Sequence, residues 1–193
     1  MKISADYLPT AEQLGNELAR IKRKQIFAKL LSNTLGSLIV AAAAAVIISM
    51  LFLPVLRVTG TSMTPTVYND ELVVCRRYGD FRRGDVVAFY YNNKILLKRV
   101  IGTAGDIIDI KPDGTVYVNG EPADEPYLET KAFGTCDIDL PYQVPEERIF
   151  VMGDHRETSI DSRTKTIGCI SEEMVVGKVI LRVMPLKKFG RVS

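Results

Sequence analysis

Three stretches of the chain carry side chains whose type and spacing suit chemistry. In TGTSMTPT, residues 59–66, Ser62 lies between Gly60, which lets another chain approach the backbone closely, and Pro65, which fixes the turn just after Met63. A serine presented at such a bend is a candidate nucleophile, although a Ser/Thr/Gly/Pro cluster taken alone is usually an ordinary loop. In ILLKRVIG, residues 95–102, a period of two puts Lys98 on one face with Leu96 and Val100, and Arg99 on the other with Leu97 and Ile101. An arginine keeps its proton, whereas a lysine desolvated among Leu and Val becomes neutral near about pH 7 to 8. Lys98 is therefore a candidate general base; its other reading is a gatekeeper lysine on an edge strand. In VMGDHRETSIDSR, residues 151–163, Asp154, Arg156, Asp161 and Arg163 can pair among themselves, leaving Ser159 and Ser162 as spare hydrogen-bonding groups. Such a knot can orient a base, or it can simply tie down a loop.

Positioning these groups falls to short segments rich in Val, Ile and Tyr. ELVVCRR, DVVAFYY, ILLKRVIG, DIIDIK, TVYVNG, RIFVMG and VVGKVILRV are separated by turn signals such as Asn92-Asn93, Asp113-Gly114 and Asn119-Gly120, so the body reads as mainly β. The last two pairs bracket one short strand. Residues 121–147 are richer in Pro and acidic side chains and lack periodicity, and read as a long excursion over the surface. VVGKVILRVMP holds Lys178 and Arg182 and cannot be a membrane span.

Ahead of the body, Leu30 to Leu56 is 27 residues without a charge. A bilayer core needs roughly 20 residues of helix, so residues 30–56 read as a transmembrane anchor, too long for a cleaved signal segment. Arg20, Lys22, Arg23, Lys24 and Lys29 precede it, and only Arg57 lies in the next 18 residues, which places the N-terminus in the cytoplasm. Residues 1–29 hold six basic against three acidic side chains, while the rest holds 19 against 20; the tail suits anionic lipid and the body does not. Thr10 with Gln13 forms a capping box, and Leu14, Leu18 and Ile21 recur at helical spacing, predicting an amphipathic helix that feeds the span. Three parts follow: a cytoplasmic tail 1–29, an anchor 30–56, and an extracytoplasmic body 57–193. With Ser62 six residues beyond Leu56, its hydroxyl is expected within roughly 20 Å of the bilayer.

The 193 residues are 47% apolar and 25% charged, enough for one real core, and the net charge of +2 is too balanced for a chain that coats nucleic acid. One histidine and three cysteines do not supply a zinc site of the Cys₂His₂ kind, and no metal site is expected. The odd number of cysteines, Cys75, Cys136 and Cys169, predicts at least one free thiol.

Taken together, TGTSMTPT, RRGDVVAF, LLKRVIGTAGD and GDHRETSIDSR with Gly168 resemble the boxes of the type I signal peptidases, in order and behind a single span, over Leu30 to about Gly177. The resemblance implies a membrane-anchored serine protease with a body of antiparallel sheets, which removes signal peptides from exported preproteins at the outer face of the cytoplasmic membrane and needs no cofactor. It makes Ser62 the nucleophile, Lys98 the general base and Ser159 the group that orients the lysine, with Asp154, Asp161 and Arg163 as supporting charges. It also implies cleavage after small residues of the Ala-x-Ala kind. The apolar neighbours Leu56, Val58, Met63, Val67, Leu96 and Leu97 would form shallow pockets, with Gly60 beside them, along edges to which the substrate adds as a strand. Two positions depart from the family pattern: His155 stands where Asn is common, and Gly60 stands where Gram-negative relatives carry a hydroxyl donor. Glycine at residue 60 resembles the Gram-positive branch, and leaves Thr59, Thr61 or a backbone group to complete an oxyanion hole begun by the Ser62 N–H.

Two other functions fit an anchored β protein. A sortase-like cysteine transpeptidase would pair His155 with Cys75, Cys136 or Cys169, but no cysteine has a TxTC setting and Lys98 would have no role. A silent module that binds exported chains would tolerate GDHR in place of the usual GDNR.

Overall fold

The computed structural model describes residues 10–77 and 79–192, so the first nine residues of the expected tail lie outside it. It divides into an N-terminal unit ending at Ile48 and a body beginning at Ser49.

Helix α1 runs unbroken from Ala11 to Phe52, 42 residues. Its start is the capping box: Gln13 N–H donates to the Thr10 hydroxyl at 3.3 Å, and Thr10 N–H donates to Gln13 Oε1 at 3.0 Å. None of its side chains is buried, and one 18-residue window has a mean hydropathy of 2.5, which makes the helix long and apolar enough to cross a membrane. The expected tail helix and span are thus one element. The helical part of the expected anchor stops at Phe52 and not at Leu56, because Pro54 bars Leu53 from the α region and the chain turns directly into a strand.

The body is two antiparallel sheets. The larger holds β1 (Val55–Arg57), β2 (Leu72–Arg76), β3 (Val86–Tyr91), β4 (Lys94–Gly102), β9 (Arg148–Met152), β10 (Ile170–Ser171), β11 (Val175–Met184) and β12 (Gly190–Arg191). Its order is β1-β2-β11-β3-β4-β9-β10, with β12 also on β11. The smaller has the order β7-β6-β5-β8, from β5 (Ile107–Ile110), β6 (Val116–Val118), β7 (Glu121–Pro122) and β8 (Tyr142–Gln143). Every strand expected from the sequence forms. The β3–β4 hairpin closes through Asn92 and Asn93, both at positive φ, the backbone that a two-residue turn between twisted strands needs.

Two open edges follow from the register. β1 ends its sheet, and β4 meets β9 only from Arg99 onward, so Lys94–Lys98 keeps one edge without a strand partner among the described residues.

Residues 121–147 run over the surface, with only Glu125 and Val144 buried, but they are anchored to the body. Their two ends are β7 and β8, and Phe133, Ile138, Leu140 and Tyr142 pack on the core around Ile108, Val116 and Phe150. The segment is sewn down because its sparse apolar residues cap an otherwise open sheet face.

Candidate active site

Ser62 sits in a closed turn. Thr64 N–H and its hydroxyl both donate to Thr61 O (3.1 and 2.8 Å), and Val67 N–H donates to Met63 O (2.9 Å). This winding sends Met63 and Val67 into the core and leaves Ser62 half-buried at the lip of a cleft of about 590 Å³. Among the described residues the Ser62 hydroxyl has no hydrogen-bond partner. Gly60 has φ +98°, open to glycine, and its N–H is engaged by Asn69 Oδ1 at 2.9 Å.

Six of the seven residues expected on the substrate side line this cleft: Leu56, Val58, Gly60, Met63, Leu96 and Leu97. Val67 does not. It is fully buried with Val73 and Val179, since the turn that exposes Ser62 points the residue five positions later inward.

Lys98 comes from the middle of β4, where alternation holds as expected: Leu96 and Val100 pack with Val87 and Phe89, while Leu97 packs on the opposite cluster with Val58 and Met63. The lysine is buried, and Nζ donates to Ser159 Oγ at 2.9 Å. Burial pushes its pKa from 10.5 down to about 8; Asp161 and Asp154 pull it back up, and Arg163 presses it further down.

The knot of charges is real, but its partners differ from those expected. Asp161 and Arg163 do pair, Nε to Oδ1 at 2.8 Å and Nη2 to Oδ2 at 2.9 Å. Asp154 instead takes Arg99 of β4 in a two-pronged pair at 2.9 and 2.7 Å, and Arg156 takes Glu125 from the 121–147 segment. The four charges cannot close on themselves because neighbouring elements bring two more to the same buried spot. Ser162 is not spare either: its hydroxyl accepts from Val151 N–H at 2.9 Å. Ser159 is held by the loop, its carbonyl accepting from Arg163 Nη2 at 3.3 Å and its N–H donating to His155 O at 3.1 Å.

Gly153 joins the parts. A Cβ there would overlap the Ser159 hydroxyl and lie 2.5 Å from the Ser62 carbonyl, so only glycine lets the two serine segments come together. His155 N–H donates to that carbonyl at 3.1 Å, while its ring bonds the Thr158 hydroxyl through Nδ1 at 2.6 Å. The backbone of His155 thus ties the Ser62 turn to the 151–163 loop. Arg99 adds a tie, reaching Gly84 O at 2.7 Å and the Thr66 hydroxyl at 3.1 Å. Gly153 does not stand out in the sequence; Arg99 does, as an always-charged side chain on an apolar strand face that demands a partner, but the sequence does not say which.

The three cysteines are free thiols. Burial pushes Cys75 up to about 12 and Cys169 up to about 11, so neither is a thiolate near neutral pH. No cluster of ligands suited to a metal ion occurs among the described residues.

Residues 31–184 match the family described as signal peptidase, peptidase S26. The chain is 40% identical to a signal peptidase I of Bacillus licheniformis over 156 residues, covering 73% of this chain and 82% of that one. It is 38% identical to a signal peptidase IB of Staphylococcus aureus over 152 residues, 68% and 78% of the two chains. A crystal structure of a signal peptidase I from Enterococcus faecalis aligns with a TM-score of 0.45 and 28% identity over 52% of this chain and 97% of that chain. With the family match over most of its length and relatives 38–40% identical over two thirds or more of the chain, the chain belongs to the signal peptidase family and is a serine peptidase.

Proposed function

We propose that this chain removes signal peptides from exported preproteins, with Ser62 as nucleophile and Lys98 as general base. The neutral amine takes the Ser62 proton as the hydroxyl oxygen attacks the carbonyl carbon at the scissile bond. The Ser62 N–H donates to the resulting oxyanion. Because Asn69 already engages the Gly60 N–H, the second donor comes from Thr59 or Thr61. Collapse expels the new N-terminal amine, which leaves with the proton from Lys98, and an ester remains on Ser62. Water, deprotonated by the same lysine, hydrolyses that ester and restores both groups. Ser159 fixes the amine, and Asp154, Asp161 and Arg163 fix Ser159.

The substrate adds as an extended strand between the open edges at β1 and the first half of β4, its small side chains entering the space lined by Leu56, Val58, Met63, Leu96 and Leu97. Shallow apolar pockets favour Ala-x-Ala. The basic flank before α1's apolar stretch supports a cytoplasmic N-terminus, a single-pass anchor and a body on the outer side of the cytoplasmic membrane.

The observation that carries this reading is the Lys98 amine, buried and bonded to Ser159 next to the Ser62 turn. The test is cleavage of an Ala-x-Ala peptide by the full chain in detergent or phospholipid. Ser62→Ala should be inactive, and Lys98→Ala and Lys98→Arg should each lose about 10²- to 10⁴-fold, the arginine because guanidinium does not deprotonate. For the parent, kcat/KM should rise with pH through about 8. Near-normal cleavage by Lys98→Arg together with a dead His155→Ala would replace the lysine by the histidine as base, and absence of any cleavage would leave a binding module.

A further inference from the structure

The 121–147 segment buries a carboxylate. Glu125 and Arg156 have side chains 1% and 0% exposed, a costly placement for a pair joining a connecting segment to a loop 31 residues away. The same Glu125 accepts the Tyr127 hydroxyl at 3.0 Å, and the Tyr127 ring lies 3.8 Å from the Arg99 guanidinium carbon. Each arginine then holds one of two consecutive residues. Arg156 Nε donates to the Gly153 carbonyl at 3.1 Å, and Arg99 grips the Asp154 carboxylate in two places. Gly153 is the point against which the Ser159 hydroxyl and the Ser62 carbonyl both press.

We propose that Glu125 and Tyr127 are positioning residues for the cleavage reaction: through Arg156 and Arg99 they clamp Gly153-Asp154, and so hold the Ser159 hydroxyl against the Lys98 amine. The inference rests on the Ser62/Lys98 reading. None of these residues lines the cleft that would take the peptide, so the clamp acts on the chemical step and leaves binding alone. Loosening it lets water reach Lys98 and removes part of the burial that disfavours its protonated form.

The experiment measures kcat, KM and the pH profile of the full chain in detergent. Tyr127→Leu keeps the Glu125–Arg156 pair while removing both the ring and the hydroxyl. It should lower kcat at least about tenfold with KM within about twofold, and move the rising limb of kcat/KM to higher pH, toward an ordinary lysine. Tyr127→Phe, which keeps the ring under Arg99, should recover most of the kcat. Should Tyr127→Leu fail to fold, Glu125→Asp, which keeps the charge but shortens its reach, is read in its place for the same two changes. Parental kcat and an unmoved limb overturn the proposal, as does a loss confined to the melting temperature. Persistent cleavage by Lys98→Ala instead overturns the Ser62/Lys98 reading, and the two failures are distinct.

Discussion

The two sides of the site are built on opposite principles. On the cleft side, Ser62 stands half-buried between open strand edges, and Arg57, which lines the cleft, pairs with Asp70 at 3.0 Å with side chains 67% and 59% exposed. On the other side, Arg99–Asp154, Arg156–Glu125 and Arg163–Asp161 are all at or below 1% exposed. Among the described residues no buried side-chain nitrogen or oxygen lacks a hydrogen bond. The first side opens to solvent, so its polar groups can fall back on water. The rear side has no water to fall back on, and each group there has one arrangement that satisfies it.

Removing one charge from each side tests that contrast most forcefully. Asp154→Ala strands the Arg99 guanidinium in the core and should cost about 3–5 kcal/mol of stability. Arg57→Ala, at the exposed pair, should cost less than about 1 kcal/mol. Thermal unfolding of both variants in the same detergent decides it: equal shifts in Tm would mean that the buried charges are no better determined than the surface ones.

The same contrast explains what could be read from sequence. Elements with a local signal were legible: the Thr10/Gln13 box that starts α1, the Asn92-Asn93 turn, and the alternation that buries Lys98 between Leu96 and Val100. Pro54 also carried the end of α1, but the uncharged run to Leu56 masked it. The partners of Asp154 and Arg156 were not legible, because Arg99 and Glu125 arrive from separate elements and no spacing within residues 151–163 distinguishes four available charges from six. Glu125 reads in sequence as part of an acidic surface stretch, since only the folded chain shows it against Arg156. Val67 failed for a related reason: proximity to Ser62 in sequence says nothing about which side of a tight turn a residue takes.

A smaller effect follows from Lys98 itself. Its folded pKa of about 8 lies below the ordinary lysine value of 10.5, so between those values the unfolded chain holds a proton that the folded chain lacks. Stability should therefore rise with pH across that window, and below about 8 the folded state should bear the full penalty, at most about 3 kcal/mol. Lys98→Met should abolish cleavage, be more stable than the parent near pH 7, and lose the rise between about pH 8 and 10.5. Unfolding measured at several pH values checks this, and an unchanged slope in Lys98→Met would mean that the amine is better solvated than its burial implies.

One further variant separates geometry from stability altogether. Gly153→Ala adds one methyl where the Ser159 hydroxyl and the Ser62 carbonyl already meet, and the neighbours on that side are locked by Arg99, Arg156 and Asp161, whose carboxylate accepts the Gly153 N–H at 2.9 Å. The crowding should cost only about 1–3 kcal/mol, less than a stranded charge. Relief can come only from moving one serine segment away from the other, and a displacement of about 1 Å in a reacting geometry costs about 10²-fold in rate. The variant should therefore fold and bind peptide with a nearly parental KM while kcat collapses. A kcat that fell only in proportion to the lost folded fraction would show that the rear wall gives way as easily as the cleft does.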